Sequence, residues 1–439
     1  MEWWLILSLF IGGLLLIMAF GLPIAFSFFV VNLVFIIFSF GLEKGSSQII
    51  LSTYESLLHF SLTAVPLFIL MGDVLMRSGI VSTAMETLSK FLGKLPGRLS
   101  LLSVVAGALF ASLSGSGMAN TAILGSTLIP EMRKYNYHRT LTFGPIMAAA
   151  GLAIVIPPSS LAVMLGSIGK ISVGPLLIAG IIPGLVMAAS YVLYIIIRCV
   201  INPQLAPAYE AGSFSLSDKL LSAVKYILPL GFIVFMVMGM IFLGVATPTE
   251  AAGLGALGAY ILAISYGKMN KKVFLESLHS TMRTTAMITF IIAGAAAFSQ
   301  LLALTGATRE MVHFVTQFDV SPMLVLALML LAVFVLGMFL EQIAIMMLTM
   351  PIYMPIVIEL GFDPLWFGIL MLITMEIGTY SPPFGMILFV MKGVAPKDTT
   401  MMDIYKSTIP FVLINIVIII IIMFIPQIAT WLPQLMYDK

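Results

Sequence analysis

Long apolar runs, separated by short charged or glycine/proline interruptions, fill this chain. Ten of them have the length of a bilayer crossing: 3–20, 22–40, 62–85, 141–169, 175–200, 225–246, 251–267, 284–305, 365–391 and 404–431. Two further apolar blocks, 98–134 and 323–358, are interrupted in the middle. The limbs of the first, 98–113 and 121–134, would reach about 24 and 21 Å as helices, short of a roughly 30 Å hydrocarbon core. The pattern therefore predicts ten crossings and two re-entrant hairpins rather than four extra spans. Within 3–40 only Gly21 and Pro23 separate two helices, so a single bent helix is an alternative there.

The two blocks resemble each other. An offset of 225 carries Pro130 onto Pro355, Pro157 onto Pro382 and Pro158 onto Pro383. Near the first tip it carries Leu113 and Gly115 onto Met338 and Leu340, beside the break at Gly337. Matched prolines in two apolar halves predict an internally repeated transporter whose cargo binds at the broken segments. The expected division is N-terminal scaffold helices over 1–61 and a first repeat over 62–200, with hairpin 98–134 and broken helix 141–169. A connector with scaffold helices follows over 201–283. The second repeat covers 284–439, with hairpin 323–358 and broken helix 365–391.

Composition agrees with a membrane setting. The 439 residues are 61% hydrophobic and 9% charged, against about 25% charged in soluble domains. A single cysteine, Cys199, excludes an internal disulfide, and four histidines without metal-ligand spacing argue against a metal enzyme. The start, Met1-Glu2-Trp3-Trp4, lacks the cationic lead of a secretory signal and reads as a retained helix with an aromatic anchor.

Charge placement orients the chain. Lys90, Lys94, Arg98, Arg133, Lys134 and Arg139 flank both mouths of the first hairpin, which places them in the cytoplasm. Arg309, Glu310, Asp319, Glu359 and Asp363 flank the second, which places that one outside. Carried through the chain, this topology puts sixteen of the 21 lysines and arginines inside and four outside (Lys44, Lys170, Arg309 and Lys439), with Arg77 inside a span. Both termini come out periplasmic. One hairpin opening inward and one outward predict an inverted repeat in an all-α polytopic membrane protein.

The segment Ser114-Gly-Ser-Gly-Met-Ala-Asn120 should stop a helix halfway through a membrane limb. Such backbone is tolerated only inside protein or beside a water-filled cavity. Carbonyls there, with the oxygens of Ser114, Ser116 and Asn120, can hold a cation. Free amides at the next limb, after Asn120 and Thr121, favour an anion. A small-residue helix contact is the bland reading of the same glycines. Pro157-Pro158-Ser159-Ser160 and Gly378-Thr-Tyr-Ser381-Pro382-Pro383 each remove amides, so preceding carbonyls, Ala153 to Ile156 in the first, lose helical partners. Plain kinks are the alternative. Gly337-Met-Phe-Leu-Glu341-Gln342 forms a second, bulkier tip. Glu341 at membrane depth costs about 3 kcal/mol on insertion scales unless paired or solvated. Glu376 raises the same question, whereas Asp73 and Arg77, four apart, can pair on one helix face. Thr247-Pro248-Thr249-Glu250 reads as a helix start. The 32 methionines read as packing or lipid contacts. No Gly-xxxx-Gly-Lys-Ser/Thr loop occurs, so energy does not come from ATP by that route.

At Ser114–Asn120, Ile156-Pro157-Pro158-Ser159, Thr247–Ala252 and Gly378–Gly385, in that order and across essentially the whole length, the chain resembles the large membrane subunit of tripartite ATP-independent periplasmic (TRAP) transporters. The wider likeness is to elevator-type, ion-coupled carriers of organic anions. The resemblance implies sodium-driven uptake across the bacterial inner membrane, with a small four-helix membrane subunit and a periplasmic substrate-binding protein as partners. Cofactors are not expected; Na+ is the coupling ion. It also implies one sodium site from Ser114 or Ser116, Asn120, Ala153 and Ile156, and another from Gly337, Gly378, Ser381 and Phe384. Two positions depart from the usual pattern: Ala153 where glycine is common, and Ser381 where threonine is common. A backbone carbonyl and a hydroxyl survive these changes.

The expected function is a transporter subunit, not an enzyme, and no nucleic acid is involved. The carried organic anion, a carboxylate or sulfonate, is expected at Gly117, Asn120, Thr121, Ser159, Glu341 and Gln342. The residues leave open C4-dicarboxylates, sugar acids, sialic acid, keto acids and sulfonates. Three rivals differ in class or mechanism: a stand-alone carrier, a passive channel, and an intramembrane serine hydrolase using Ser116 with His138 as base.

Overall fold

A computed structural model describes residues 2–58, 60–92, 95–114, 116–207, 215–317 and 320–436, without the side chains of 42, 44, 111–114 and 316. The expected roles of the Ser114 side chain, of Gly115 and of the charges at Lys44, Lys94, Asp319 and Lys439 therefore lie outside the described residues, as does 208–214 of the connector. Among the described residues the elements are helices alone.

The chain opens with α1 (Trp3–Ala19), α2 (Ile24–Phe40) and α3 (Leu42–Leu57). Positive φ at Gly21 separates the first two, so 3–40 is two helices and not one bent rod. The run 62–85, read as one span, is instead α4 (Ala64–Arg77) and α5 (Ile80–Phe91). Gly79 adopts φ +72 between them, the left-handed terminator that apolar periodicity does not register. The first broken block is α6 (Arg98–Ser114) and α7 (Gly117–Lys134), followed by α8 (Arg139–Val155), α9 (Ser160–Ile168), α10 (Val173–Ala179) and α11 (Ile181–Ile201). After the connector come α12 (Leu216–Tyr226), α13 (Leu228–Phe242) and α14 (Pro248–Ser265). A capping box opens α14: Thr247 Oγ1 accepts from the Glu250 amide at 3.3 Å, and the Glu250 carboxylate accepts from the Thr247 amide at 2.8 Å.

The second half begins with α15 (Lys271–Leu304) and α16 (Ala307–Gln317). At 34 residues, about 51 Å, α15 far outreaches the predicted 284–305. Asn270, whose side chain accepts from the Val273 amide at 2.9 Å, starts it in a charged stretch that hydropathy leaves out. Then follow α17 (Pro322–Gly337), α18 (Gln342–Glu359), α19 (Pro364–Thr379), α20 (Met386–Val394), α21 (Met401–Phe424) and α22 (Gln427–Gln434). The last two divide the expected 404–431 at Ile425-Pro426.

Among the described residues, five stretches are long and apolar enough to cross a bilayer: Phe60–Arg77, Val173–Ile201, Lys271–Leu304, Gln342–Glu359 and Met401–Phe424. Two bent pairs, α8 with α9 at 46° and α12 with α13 at 43°, bring the number to seven. Helices α1, α2, α17 and α19 are apolar but have 16 or 17 residues. Helices α7 and α18 both have 18 residues, so the second limb of the first block is longer than the 14 residues expected for 121–134, and of the two only α18 is also apolar enough to cross alone.

The offset of 225 read from three prolines extends through the helices. It maps α7 (117–134) onto α18 (342–359) end for end, and α8 onto α19 to within a residue. It also holds across space. Gly125 of α7 lies against Val394 at the end of α20, where an added Cβ would be 2.6 Å from Val394 Cγ2. Gly169, just past α9, lies against Met350 of α18. Under the offset Gly125 becomes Met350 and Val394 becomes Gly169, so the two contacts are one contact made twice. Reciprocal pairing of that kind marks a twofold relation. Gly151 and Glu376 are also mates, and they touch each other, which puts the axis beside them.

Candidate functional site

Each break is produced locally. Residues four after Ala153 and Ile154 are Pro157 and Pro158, so those two carbonyls have no helical donor. The same arithmetic leaves Gly378 and Thr379 facing Pro382 and Pro383. Both Pro–Pro peptides are cis. At the first break Ile156 leaves the helix with ψ 119, the Val155 carbonyl abuts Gly180, and Ser159 restarts the chain by accepting from the Ala162 amide at 3.2 Å. At the second break the Ser381 amide recovers the Gly378 carbonyl at 3.1 Å, and Ser381 Oγ donates to the Ile377 carbonyl at 2.7 Å. An added Cβ on Gly385 would lie 2.5 Å from the Thr379 oxygen and 2.9 Å from that of Ser381. Glycine there lets the chain fold back tightly on the Thr379 and Ser381 carbonyls, and its own amide donates to the Ser381 carbonyl at 3.2 Å.

The tips come to these breaks. Helix α7 starts at Gly117 because Ser116 caps it, accepting from the Ala119 amide at 3.3 Å. The free amides therefore precede Asn120 and Thr121 rather than follow them. The N-cap oxygen needs only extended backbone at Ser116, so Asn120 falls in the first helical turn. Gly117 sits on the last turns of α8, where a Cβ would be 3.3 Å from the Ala150 carbonyl. Asn120 is buried and donates to the Gly107 carbonyl of α6 at 3.3 Å, folding the limbs onto each other. Thr121 donates to the Gly117 carbonyl at 2.9 Å. At the second tip Gly337 meets Gly378 backbone to backbone: a Cβ on Gly337 would be 2.8 Å from Gly378 Cα. Glu341 caps α18 without a side-chain bond, at the position matching Ser116. Phe384 is half exposed and packs on Phe339, with ring centres 5.4 Å apart.

The first tip thus meets α8 at Ala150 through Gly117, with Ser116 and Asn120 beside it in the chain, and Gly337, Gly378, Ser381 and Phe384 gather around the second break. Ser159 stands on the far side of the first break, fully buried as the cap of α9. Gln342, at the second tip, is half-buried, and its Nε2 donates to Glu376 Oε2 at 2.9 Å. Glu376 is fully buried, and its other oxygen has no hydrogen-bond partner. The carboxylate fits only because Gly151 has no side chain. Behind it, Asn415 of α21 binds Tyr191 of α11 and Tyr380 at the second break. Sequence reasoning flagged Glu376 but not its seat on Gly151. The offset contained that signal, since 151 and 376 differ by 225.

Charges at one end join the halves. Arg139 at the start of α8 pairs with Asp398 at 3.0 Å and with Asp403, and Arg133 reaches Asp398 at 3.5 Å. Asp73 and Arg77 pair at 3.4 Å as their spacing predicts, and Glu276 of α15 joins at 3.1 Å.

Apolar spanning helices, two broken helices related by a twofold, and tips seated on the breaks define a multi-pass helical membrane transporter. Residues 11–428 match the family model for the tripartite ATP-independent periplasmic transporter, DctM component, and the chain belongs to that family. It is 33% identical over 384 residues to the C4-dicarboxylate TRAP transporter large permease protein DctM of Pseudomonas aeruginosa, covering 87% of this chain and 88% of that one. Similarity to the sialic acid TRAP transporter large permease protein SiaM of Vibrio cholerae is 29% over 94% and 95% of the two chains. The ectoine TRAP transporter large permease protein TeaC of Halomonas elongata is 30% identical over 86% and 87%. In fold, the chain is similar to the YdaH transporter of Alcanivorax borkumensis, with a TM-score of 0.65 at 13% identity over 88% of each chain. Family membership makes this a large permease component of a tripartite transporter and not an enzyme. The hydrolase reading falls with it; Ser116 and His138 also stand at opposite ends of α7, about 27 Å of helix apart.

Proposed function

We propose that this subunit carries out sodium-coupled uptake of a small organic anion, a carboxylate or sulfonate, across the bacterial inner membrane. A periplasmic binding protein delivers the anion, and a small four-helix membrane subunit completes the complex. The observation that carries the reading is the meeting of each tip with a break whose carbonyls lack helical donors. One cation is assigned to Ser114 or Ser116, Asn120, Ala153 and Ile156, the other to Gly337, Gly378, Ser381 and Phe384. Carbonyl and hydroxyl oxygens with a lone pair to spare are the donor set a hard monovalent ion needs, and the backbone oxygens of Thr379 and Ser381 converge beside Gly385. The organic anion is assigned to the space between tips, against Gly117, Asn120, Thr121, Ser159, Glu341 and Gln342, where helix starts offer amides.

The two broken blocks act as re-entrant hairpins, one opening to the cytoplasm and one to the periplasm, about an axis in the membrane plane. Hairpins and broken helices move together in elevator fashion against the scaffold helices of 1–61 and 201–283. Relatives are named for C4-dicarboxylates, sialic acid and ectoine, and the choice of cargo is assigned largely to the soluble partner. The test is uptake by proteoliposomes containing the membrane components, supplied with the binding protein and its identified ligand. Asn120→Ala and Ser381→Ala each raise the sodium concentration for half-maximal uptake, and removing the sodium gradient stops accumulation. Full uptake with unchanged sodium dependence in both variants discards the assignment. Accumulation without the binding protein favours the stand-alone carrier.

A further inference from the structure

An apolar cavity of about 340 Å³ lies between α5, α6, α11 and α13. Its wall includes Phe110, Ile156, Pro157, Leu185, Gly231 and Phe235. A side chain added at Gly231 would enter open space, with nothing within 4 Å of its Cβ. Leu185 and Phe235 are 58% and 75% exposed, so the groove opens sideways from the protein. In a bilayer that direction is hydrocarbon, and water does not fill an apolar groove at that depth.

One end of the groove is cationic. Ile227 and Leu230 line it, and Lys225 lies two residues before Ile227. Lys90, six residues beyond the lining residue Ala84 on α5, donates to Ser222 of α12 at 3.3 Å. Helix α12 itself exposes Leu216, Leu220, Leu221 and Val224 beside Lys219 and Lys225. It then turns 43° into α13. An amphipathic, lysine-bearing helix that bends into a spanning helix has the composition of an element lying in the headgroup plane. Apolar groove and lysines together match a lipid tail below a phosphate.

We propose that this groove binds an anionic phospholipid, one acyl chain between α6, α11 and α13 and the phosphate at Lys90 and Lys225. The tail then rests on Ile156 and Pro157, the outer wall of the first break, so the lipid sits where the fixed and moving parts meet in the reading above. Binding itself does not depend on that reading. The experiment is native mass spectrometry of the full chain taken from nanodiscs with equal parts dioleoyl-phosphatidylglycerol and dioleoyl-phosphatidylethanolamine. The anionic lipid is retained about fivefold or more over the zwitterionic one, as one surface lysine suffices to give. Lys90→Gln with Lys225→Gln brings the two lipids to parity, and Gly231→Phe removes both while the thermal midpoint stays put. Equal retention by the wild type, or lipid retained by Gly231→Phe, overturns the proposal. So does a small membrane subunit that co-purifies with the wild type and is released by Gly231→Phe, since the groove would then seat a protein. Uptake that responds to phosphatidylglycerol in the wild type but not in Gly231→Phe links the lipid to transport; if binding holds and uptake is indifferent, only the link to the moving parts fails.

Discussion

The two halves share a backbone plan and differ in what stands at equivalent points. Ser116 and Glu341 cap matching helices of equal length. Gly117 and Gln342 follow them, and Asn120 and Thr121 correspond to Ile345 and Met346. The first tip is small, polar and rich in hydroxyls; the second presents an acid and an amide and is otherwise apolar. At the axis the same contrast becomes a fit, because Glu376 needs the space that its mate Gly151 leaves. A duplicated fold gives two frames related by a twofold. Side chains on that axis meet their own counterparts, so one large residue demands one small one.

The largest effect is expected where the two backbones touch. Gly378→Val places a Cβ about as near to Gly337 Cα as the 2.5 Å of the built atom, and backbone cannot swing away. Overpacking costs typically 1–3 kcal/mol and at times more, so a thermal midpoint lowered by several degrees and loss of uptake are expected. The equivalent Ala153→Val should be milder if the first tip does not press on its break as closely. Equal losses would mean that the two tips are seated alike.

Next in size is the axis. Gly151→Ala drives a methyl into Glu376, at about 1–3 kcal/mol. Adding Glu376→Ala should restore much of the stability, and a double-mutant cycle on detergent-solubilised protein measures the coupling. Additive losses would remove the axis contact from the account. Gln342→Leu leaves the buried carboxylate without its donor, which costs about 1–3 kcal/mol. The same change should alter sodium dependence more than maximal rate, since it frees the start of α18. Its counterpart Gly117 has no such bond, so Gly117→Ala should act through crowding at Ile387 and the Ala150 carbonyl.

Smallest is the charge cluster. Arg139→Gln removes pairs with Asp398 and Asp403 that are partly exposed, and such pairs contribute roughly 0–1 kcal/mol. A loss well above that, seen in the thermal midpoint, would make this cluster a structural clamp between halves rather than a solvated face.

The membrane setting, the spacing of the repeat and the places where helices break are legible in the order of residues. Those features follow from local chemistry. Apolar runs need a bilayer, proline lacks an amide, and Pro157-Pro158 and Pro382-Pro383 recur at one offset. The capping box at Thr247 and the Asp73–Arg77 pair were readable for the same reason, since each lies within one turn. Helix starts and stops set by a single rotamer or a left-handed glycine were not readable, as Ser116 and Gly79 demonstrate. It took the packed fold to show that Gly125 meets Val394 while Met350 meets Gly169, that Gly337 lies on Gly378, and that Glu376 is lodged against Gly151 with Gln342 as its donor. Contacts between residues hundreds of positions apart depend on how whole helices cross. Hydropathy records that a face is buried and is silent about its neighbour.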